Sequence, residues 1–410
     1  MQLTLNAHTA LRITRAIRNG AKRASFDKRC ELVPPSPQPA RRWSARLIDD
    51  QLSFLGDLAS TKGPHQLDVL VSKSEQRLRI KGVKCLYRTG IYPEGSFVDL
   101  GKGIAMSGPE LLFVELARTM DPVAHLLLGM ELCGRFSRDA GRPQDGDVTY
   151  NVSPVTTVER LRAFAQRAHW IRGAELALKT MDHIVENAWS PMEALLAARI
   201  VQEPDDLGYD LWPIDLNPRQ ELGEHLARLS DVESRVPDIM FRGTKVGLNY
   251  DGEDHFRLRR IVQAAIEADR CPEDSSRSRE LEDALAEARR CIVADKRRDR
   301  DLMAMGLTVF SVTKEDLAAD GGLDRVMLQV IEAIESEGKR DLSTQRQMLK
   351  NVSRAAARQE LIWSLMPGQR SEVARRRLED RKAELALTRE FEFAFEMAGG
   401  TIRVVSIVEL

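Results

Sequence analysis

The sequence predicts a mixed α/β (α+β) fold, with two folded units followed by a helical C-terminal extension. Three observations support this prediction. Short apolar segments alternate with helical ones, a two-strand hairpin pattern spans residues 236–251, and charge-rich helical patterns fill residues 321–396. With 410 residues and 43% hydrophobic content, the chain has enough apolar side chains for two or three domain cores.

Residues 1–46 are predicted to form a basic arm. The segment is rich in arginine and lysine, and the proline-rich run at residues 34–39 reads as a linker without regular structure beyond polyproline geometry. Such an arm either contacts phosphate or stays solvated, and the sequence leaves both alternatives open.

The first folded unit is predicted over residues 47–187. Residues 67–71 form an apolar strand, and residues 77–87 alternate between apolar and basic side chains as a second strand would. Ser107-Gly-Pro-Glu110 then begins a helix, because serine caps, proline suits an early helical position and glutamate suits the helix dipole.

The second unit is predicted over residues 188–320. Ser190-Pro-Met-Glu193 begins its first helix with the S-x-x-E pattern of a capping box. Two strands follow, and then an insertion at residues 257–294 separates them from the end of a long charged helix. Gly306 ends that helix, and residues 307–312 form a closing strand.

Residues 321–410 are predicted to be a helical extension that ends in a strand at residues 401–408. Residues 375–389 alternate in charge, which is typical of an exposed helix. The sequence leaves open whether this helix forms a homodimer.

Charge and cysteine content limit the classes of function that the chain can have. The formal net charge is -1, so any contact with DNA has to come from local basic patches and not from overall charge. The five cysteines are odd in number and form no CxxC pair, which argues against a disulfide framework or a zinc knuckle. The start of the chain has no signal-like apolar stretch, and the most apolar helix, at residues 123–130, is too short for a bilayer. We therefore expect a cytoplasmic protein without a membrane partner.

The hairpin pattern places polar side chains together. If Gly243-Thr244 is a two-residue type II′ loop, Arg242 pairs with Lys245 and Asp238 lies directly opposite Asn249. Asp251, two residues on, shares that face of the sheet, whereas Val246, Leu248 and Tyr250 point into a core.

Acidic side chains this close repel one another unless a cation lies between them. Mg²⁺ (or Mn²⁺) is the cation that such oxygen ligands favour, with Asp238 and Asp251 as ligands and Asn249 assisting. The reaction that fits is phosphodiester hydrolysis. His255 follows the strand closely enough to move a proton.

Each residue also has a simpler explanation. Asp238 after Pro237 suits an ordinary turn, and Asp251-Gly252 is a common turn dipeptide. His255 suits a surface position, and Glu193 suits helix capping alone.

Taken together, these segments resemble the Vsr-like (very-short-patch-repair-like) branch of the PD-(D/E)XK nuclease superfamily. The resemblance covers about residues 189–317, and four stretches carry it: Pro237-Asp238, Val246-Gly-Leu-Asn-Tyr-Asp-Gly-Glu-Asp-His255, Asp295-Lys-Arg-Arg-Asp-Arg-Asp-Leu302 and Gly306-Leu-Thr-Val-Phe-Ser-Val-Thr313. It implies a restriction-endonuclease-like mixed sheet flanked by helices, with the glutamate of the opening helix, Glu193, facing the site.

The leading hypothesis is therefore a metal-dependent DNA endonuclease in phage defence or DNA repair. Asp238, Asn249, Asp251, His255 and Glu193 would form the site. Arg298, or Arg297 and Arg300 on the same helix, would contact DNA phosphate.

One departure supports an alternative. The family usually has glutamate where this chain has Asn249, a weaker metal ligand. The first unit, through His65-Gln-Leu-Asp-Val-Leu-Val71 and the helix start at Ser107, resembles a domain of abortive-infection (AbiEi-type) antitoxins and transcriptional regulators. The alternative is thus a catalytically impaired antitoxin or regulator that binds a cognate toxin protein. A third reading is a partner-binding protein that uses its long C-terminal helices.

Overall fold

The computed structural model describes residues 3–21, 26, 29–30, 43–88, 90–230, 232–252, 258–270, 274–338, 340–368 and 370–397. The predicted proline-rich linker at residues 34–39, the predicted strand at residues 401–408 and His255 lie outside these ranges. The described residues form a mixed α/β protein.

The first unit is built on a six-stranded mixed sheet. Its strands are β1 (Leu3–Leu5), β2 (Arg29–Cys30), β3 (Leu67–Val71), β4 (Val83–Tyr87), β5 (Phe97–Gly101) and β6 (Ile104–Ser107), in the order β2-β5-β6-β1-β3-β4. Strands β1 and β6 are parallel, as are β3 and β4, and the other neighbours are antiparallel.

Helices cover this sheet and complete the unit. They are α1 (Ala7–Arg18), α2 (Ala45–Leu52), α3 (Pro109–Leu116), α4 (Pro122–Leu132), α5 (Val158–Arg167) and α6 (Ala174–Met181), with a small hairpin of β7 (Phe136–Ser137) and β8 (Thr149–Tyr150). The helix begins close to the predicted position, but the predicted serine cap is wrong: Gly108 is the N-cap, Pro109 is the first helical residue, and Ser107 Oγ donates to Glu115 Oε2 instead.

The predicted basic arm is wrong for residues 3–18. Strand β1 lies between β3 and β6 in the sheet, and helix α1 packs against α3 and β3. Leu3, Leu5 and Ile13 are fully buried, and so nearly are the basic side chains of Arg15 and Arg18. These arginines are therefore part of the core and cannot contact phosphate.

The second unit is built on a four-stranded sheet with the order β14-β13-β12-β9. Its elements are α7 (Pro191–Val201), β9 (Ile214–Leu216), β10 (Gln220–Glu221), α8 (Glu224–Ser230), β11 (Ser234–Arg235), β12 (Ile239–Phe241), β13 (Val246–Asp251), α9 (Leu258–Arg270), α10 (Ser275–Ala304), β14 (Thr308–Thr313) and α11 (Lys314–Ala318). Strands β9, β12 and β13 are antiparallel neighbours, whereas β13 and β14 are parallel. The predicted insertion is helical where it is described, and α9 packs against α10.

The C-terminal extension packs on both units. It consists of α12 (Gly322–Ser336), α13 (Ser343–Leu349), α14 (Val352–Leu365) and α15 (Arg370–Met397). Helix α12 packs against β13 and β14, and α15 packs against α14. One continuous hydrophobic cluster runs through both units and into the extension. Among the described helices, none is long and apolar enough to cross a bilayer.

Candidate functional site

The hairpin of β12 and β13 has the predicted register. Ile239 pairs with Leu248 and Met240 with Gly247, so Asp238 lies opposite Asn249. The turn itself differs from the prediction. The Thr244 N–H donates to the Phe241 carbonyl oxygen at 3.1 Å, so the hydrogen-bonded turn runs from Phe241 to Thr244, one residue earlier than predicted. Gly243 is the third residue of this turn, with φ 76°. The cross-strand pairing is the same in either turn.

Two hydrogen bonds lock Asp238 onto the neighbouring strand. The Asp238 N–H donates to Asn249 Oδ1 at 3.1 Å, and the Tyr250 N–H donates to Asp238 Oδ2 at 2.6 Å. Asn249 is 1% exposed, so its side-chain oxygen, which was expected to assist a metal, instead satisfies a buried backbone N–H. Asn249 thus holds the two strand ends together.

Glu193 lies in the first turn of α7 and is directed toward the site. Ser190 Oγ accepts from the Glu193 N–H at 3.1 Å, which is the serine half of the predicted capping box, whereas the Glu193 side chain bonds the Trp189 N–H and not the Ser190 N–H. Glu193 Oε2 accepts from the Trp189 N–H at 2.9 Å and from Asn217 Nδ2 at 2.8 Å. Capping alone therefore does not describe Glu193, because the same carboxylate also bonds to a side chain from the end of β9.

Asn217 was not identified from the sequence. Its backbone has φ 51°, a left-handed conformation that asparagine tolerates better than most residues. Its N–H donates to the Asp238 carbonyl oxygen at 2.8 Å, and its side chain donates to Glu193. Its Oδ1 atom is buried and has no hydrogen-bond partner among the described residues. The Asn217-Pro218 pair was a turn signal that could have drawn attention to this position.

The electrostatics of Asp238 set it apart from an ordinary turn acid. Burial, and next the charge of Glu193, raise the pKa of Asp238 to about 7, although the Tyr250 N–H and the charge of Arg298 act in the opposite direction. Burial also raises the pKa of Glu193, against the hydrogen bonds from Asn217, Trp189 and Ser190. The charge of Glu193 therefore disfavours the charged form of Asp238.

Arg298 on α10, one of the three predicted phosphate contacts, forms ion pairs with two acids of the site. Its Nη2 lies 3.4 Å from Asp251 Oδ1 and 3.8 Å from Asp295 Oδ1, and its side chain is only 18% exposed. Arg298 thus faces the site and neutralises Asp251. Arg297 and Arg300 on the same helix are exposed, as the phosphate-contact prediction requires.

Asp301 anchors this part of α10 and was also missed in the sequence. Its Oδ2 accepts from Arg235 Nη2 at 2.6 Å, and its Oδ1 accepts from Ser230 Oγ at 2.6 Å. Because Arg298 lies one turn earlier on the same helix, this anchor fixes where Arg298 meets the hairpin.

The donor set is acidic but is not a complete metal site within the described residues. In that part of the chain, no three His, Cys, Asp or Glu side chains are arranged to hold a metal ion. Mg²⁺ commonly binds through one or two protein carboxylates, with water and phosphate filling the other positions, so the Asp238 and Asp251 carboxylates suit it. The buried, unpartnered Asn217 Oδ1 is a further oxygen, on the side chain whose Nδ2 donates to Glu193.

Comparison with known proteins gave no match: no family model, no curated protein and no solved structure matches this chain.

Proposed function

We propose that this protein is a metal-dependent DNA endonuclease that hydrolyses phosphodiester bonds in phage defence or DNA repair. One observation carries the proposal. Asp238 is held at the end of the hairpin with its pKa raised to about 7 by burial and by Glu193, and Asp251 lies on the same sheet face. A carboxylate cluster of this kind is destabilising unless a cation or a proton compensates for the charge, and such clusters are common at active sites.

The order of elements supports a restriction-endonuclease-like fold for the second unit. The family resemblance implies an opening helix with an inward glutamate, an aspartate-bearing strand, a second strand, a helix and a final strand. Helix α7, strands β12 and β13, helix α10 and strand β14 follow in that order, with β13 and β14 parallel.

In this proposal Asp238 and Asp251 hold Mg²⁺ or Mn²⁺. The bound cation would supply Lewis-acid polarisation of the phosphodiester. Asn217 positions Asp238 by donating its N–H to the Asp238 carbonyl oxygen, and it also holds Glu193, whose charge acts on the Asp238 carboxylate. Asn249 holds the two strand ends in register. Arg297 and Arg300 are exposed and available to phosphate. The proton-transfer role of His255 rests on the sequence alone.

A plasmid-nicking assay tests the proposal. Purified wild type should convert supercoiled plasmid to nicked or linear forms with Mg²⁺ or Mn²⁺ and not with EDTA, and Asp238→Asn should abolish the activity. Asp283→Asn, an exposed acid on α10, is the matched control and should cleave like wild type. Equal cleavage by wild type and Asp238→Asn would show that the activity does not come from this site.

Two observations favour a second candidate, a catalytically impaired antitoxin or transcriptional regulator. Asn249 uses its side-chain oxygen on a backbone N–H, and Arg298 already supplies positive charge to Asp251. Titration calorimetry separates the candidates. Binding to DNA or to a cognate toxin protein, with no Mg²⁺ or Mn²⁺ binding that Asp238→Asn removes, would support the regulator.

A further inference from the structure

The first unit contains a cavity of about 550 Å³ that the candidate nuclease site does not use. It lies at the start of α1 and is bounded by β4, the end of α3 and the segment around Trp170. This volume is within the range of about 300–1,000 Å³ that is usual for small-molecule sites.

The cavity wall is strongly cationic. Lys84, Arg88, Arg118 and Arg172 line it, and Glu115 is the one acidic side chain among the described residues of the lining. Glu115 is engaged from within the protein. Its Oε2 accepts from Ser107 Oγ at 2.8 Å and from the Ala7 N–H at 3.2 Å, and its Oε1 accepts from Asn6 Nδ2 at 3.3 Å. The four cations therefore greatly exceed the acidic charge available to them.

Arg88, which lines the cavity, has a buried Nη1 donor with no acceptor among the described residues. The hydroxyl of Tyr92, a residue that is 7% exposed and lies behind Trp170, also has no acceptor there. Nearly all buried polar groups in proteins are hydrogen-bonded, so a ligand that supplies an acceptor would satisfy these donors, and the cationic wall favours an anionic one.

An aromatic ring lies beside these donors. Trp170 lines the cavity and contacts Tyr92 edge-on, with ring centroids 5.4 Å apart. Gly90, at φ 131°, leaves space for this ring, because a Cβ atom there would lie 2.6 Å from it. Trp170 is still 36% exposed, so part of its surface is free to contact a flat ligand.

We propose that this cavity binds a nucleoside phosphate, with the phosphate on Arg88 and Arg118 and the base against Trp170. Arginine is suited to phosphate because its guanidinium matches the oxygens in a bidentate arrangement, and an indole ring stacks on any base. A free nucleotide and the 5′-phosphorylated end of a strand carry this same chemistry. The site is separate from the carboxylates of the second unit and does not depend on the proposed nuclease activity.

Titration calorimetry of the full chain tests the proposal with four ligands: adenosine monophosphate, adenosine, inorganic phosphate and a 5′-phosphorylated trinucleotide. The monophosphate should bind more tightly than adenosine or phosphate alone. Loss of one charge-assisted contact in Arg88→Ala or Arg118→Ala should weaken binding by ~10-fold. Tighter binding of the trinucleotide would identify a strand end as the ligand, and tighter binding of the monophosphate a free nucleotide.

The control variants keep the test decisive. Arg118 and Arg172 are exposed, so their alanine variants should fold even if Arg88→Ala does not. Arg46→Ala, on an exposed side chain of the same unit, should bind like wild type. Trp170→Phe should reduce the advantage of the monophosphate over phosphate. No saturable binding of any ligand, or equal binding by Arg118→Ala, Arg172→Ala and wild type, would overturn the proposal.

Discussion

Glu131 in the first unit and Asp238 in the second are both buried carboxylates, but the charged groups that most affect them have opposite signs. Arg15 donates two hydrogen bonds to the Glu131 carboxylate, from Nε to Oε1 at 2.9 Å and from Nη2 to Oε2 at 2.7 Å. The Arg138 N–H donates a third, at 3.0 Å. These contacts outweigh burial and hold the pKa of Glu131 below its ordinary value. Burial and the charge of Glu193 instead raise the pKa of Asp238 to about 7.

The difference shows that the partner, and not burial, separates a structural acid from a candidate functional one. A buried carboxylate that meets an arginine in good geometry is satisfied by the fold. A buried carboxylate that meets another carboxylate lacks a compensating charge, which a bound cation can provide. The following predictions test this contrast.

The largest effect is expected for Arg15→Ala. It leaves Glu131 buried without its cation, and we expect a loss of about 3–5 kcal/mol in the free energy of unfolding. Urea unfolding measures this loss. The exposed Arg46, in the same basic segment, is the control, and Arg46→Ala should change the free energy by less than about 0.5 kcal/mol. Similar small effects for both variants would restore the interpretation of residues 3–18 as a solvated arm.

The next effect concerns Asp238→Asn. The pKa of Asp238 is about 7 in the folded protein and about 4 when unfolded, so between these values the folded state binds more protons. Wild type should therefore lose stability as the pH rises from 4 to 7, and the variant should lose less, because of this pair only the raised pKa of Glu193 remains. At pH 8 we expect Asp238→Asn to be more stable than wild type by about 1–3 kcal/mol.

Unfolding curves at a series of pH values, with and without Mg²⁺, measure this difference. Mg²⁺ should stabilise wild type at pH 8 and leave Asp238→Asn unchanged, since a ligand stabilises only the state that binds it. Asp283→Asn should follow wild type. An identical pH dependence for wild type and Asp238→Asn would contradict the contrast with Glu131.

A smaller effect is expected for Asn249→Asp, which supplies a carboxylate at the position where the family has one. The new side chain keeps the acceptor for the Asp238 N–H but adds charge beside Asp238. Without metal we expect a loss of about 1–2 kcal/mol at pH 8. Added Mn²⁺ should raise the melting temperature of this variant more than that of wild type. Asn151→Asp, at an exposed position, should show neither change.

The smallest effect on stability is expected for Arg297→Ala. Arg297 is exposed and belongs to neither carboxylate environment, so the free energy of unfolding should change by less than about 0.5 kcal/mol. If Arg297 contacts phosphate, the slope of log affinity for DNA against log salt concentration should fall by ~1. An unchanged slope would remove Arg297 from the proposed interface.

Much of the candidate site could be predicted from the sequence, because it depends on local geometry. The two-residue period of a strand and a short turn place Asp238 opposite Asn249, whichever turn closes the hairpin. The Ser190 cap and Gly306, which follows α10 at φ 74°, likewise depend on neighbouring residues. Glu193 was identified, but its bond to Asn217 was not.

Other features were decided by contacts between distant parts of the chain. A three-residue strand such as β1 has too few residues to show a period, and it became recognisable only between β3 and β6. Arg15 belongs to a segment whose composition is typical of a solvated arm. It is buried because its guanidinium pairs with the Glu131 carboxylate. The ion pair of Arg298 with Asp251 could not be predicted either, because it depends on the packing of α10 against β14 and β11.

The sequence by itself therefore determined the mixed α/β class, the cross-strand register, the Ser190 cap and the end of α10 at Gly306, since each follows from backbone geometry within a few residues. Only the tertiary structure decided which charges meet. Whether a buried acid faces an arginine, as Glu131 does, or another acid, as Asp238 does, depends on residues that are distant in the chain. Coulomb energy depends on distance in space and on the local dielectric, and sequence separation specifies neither.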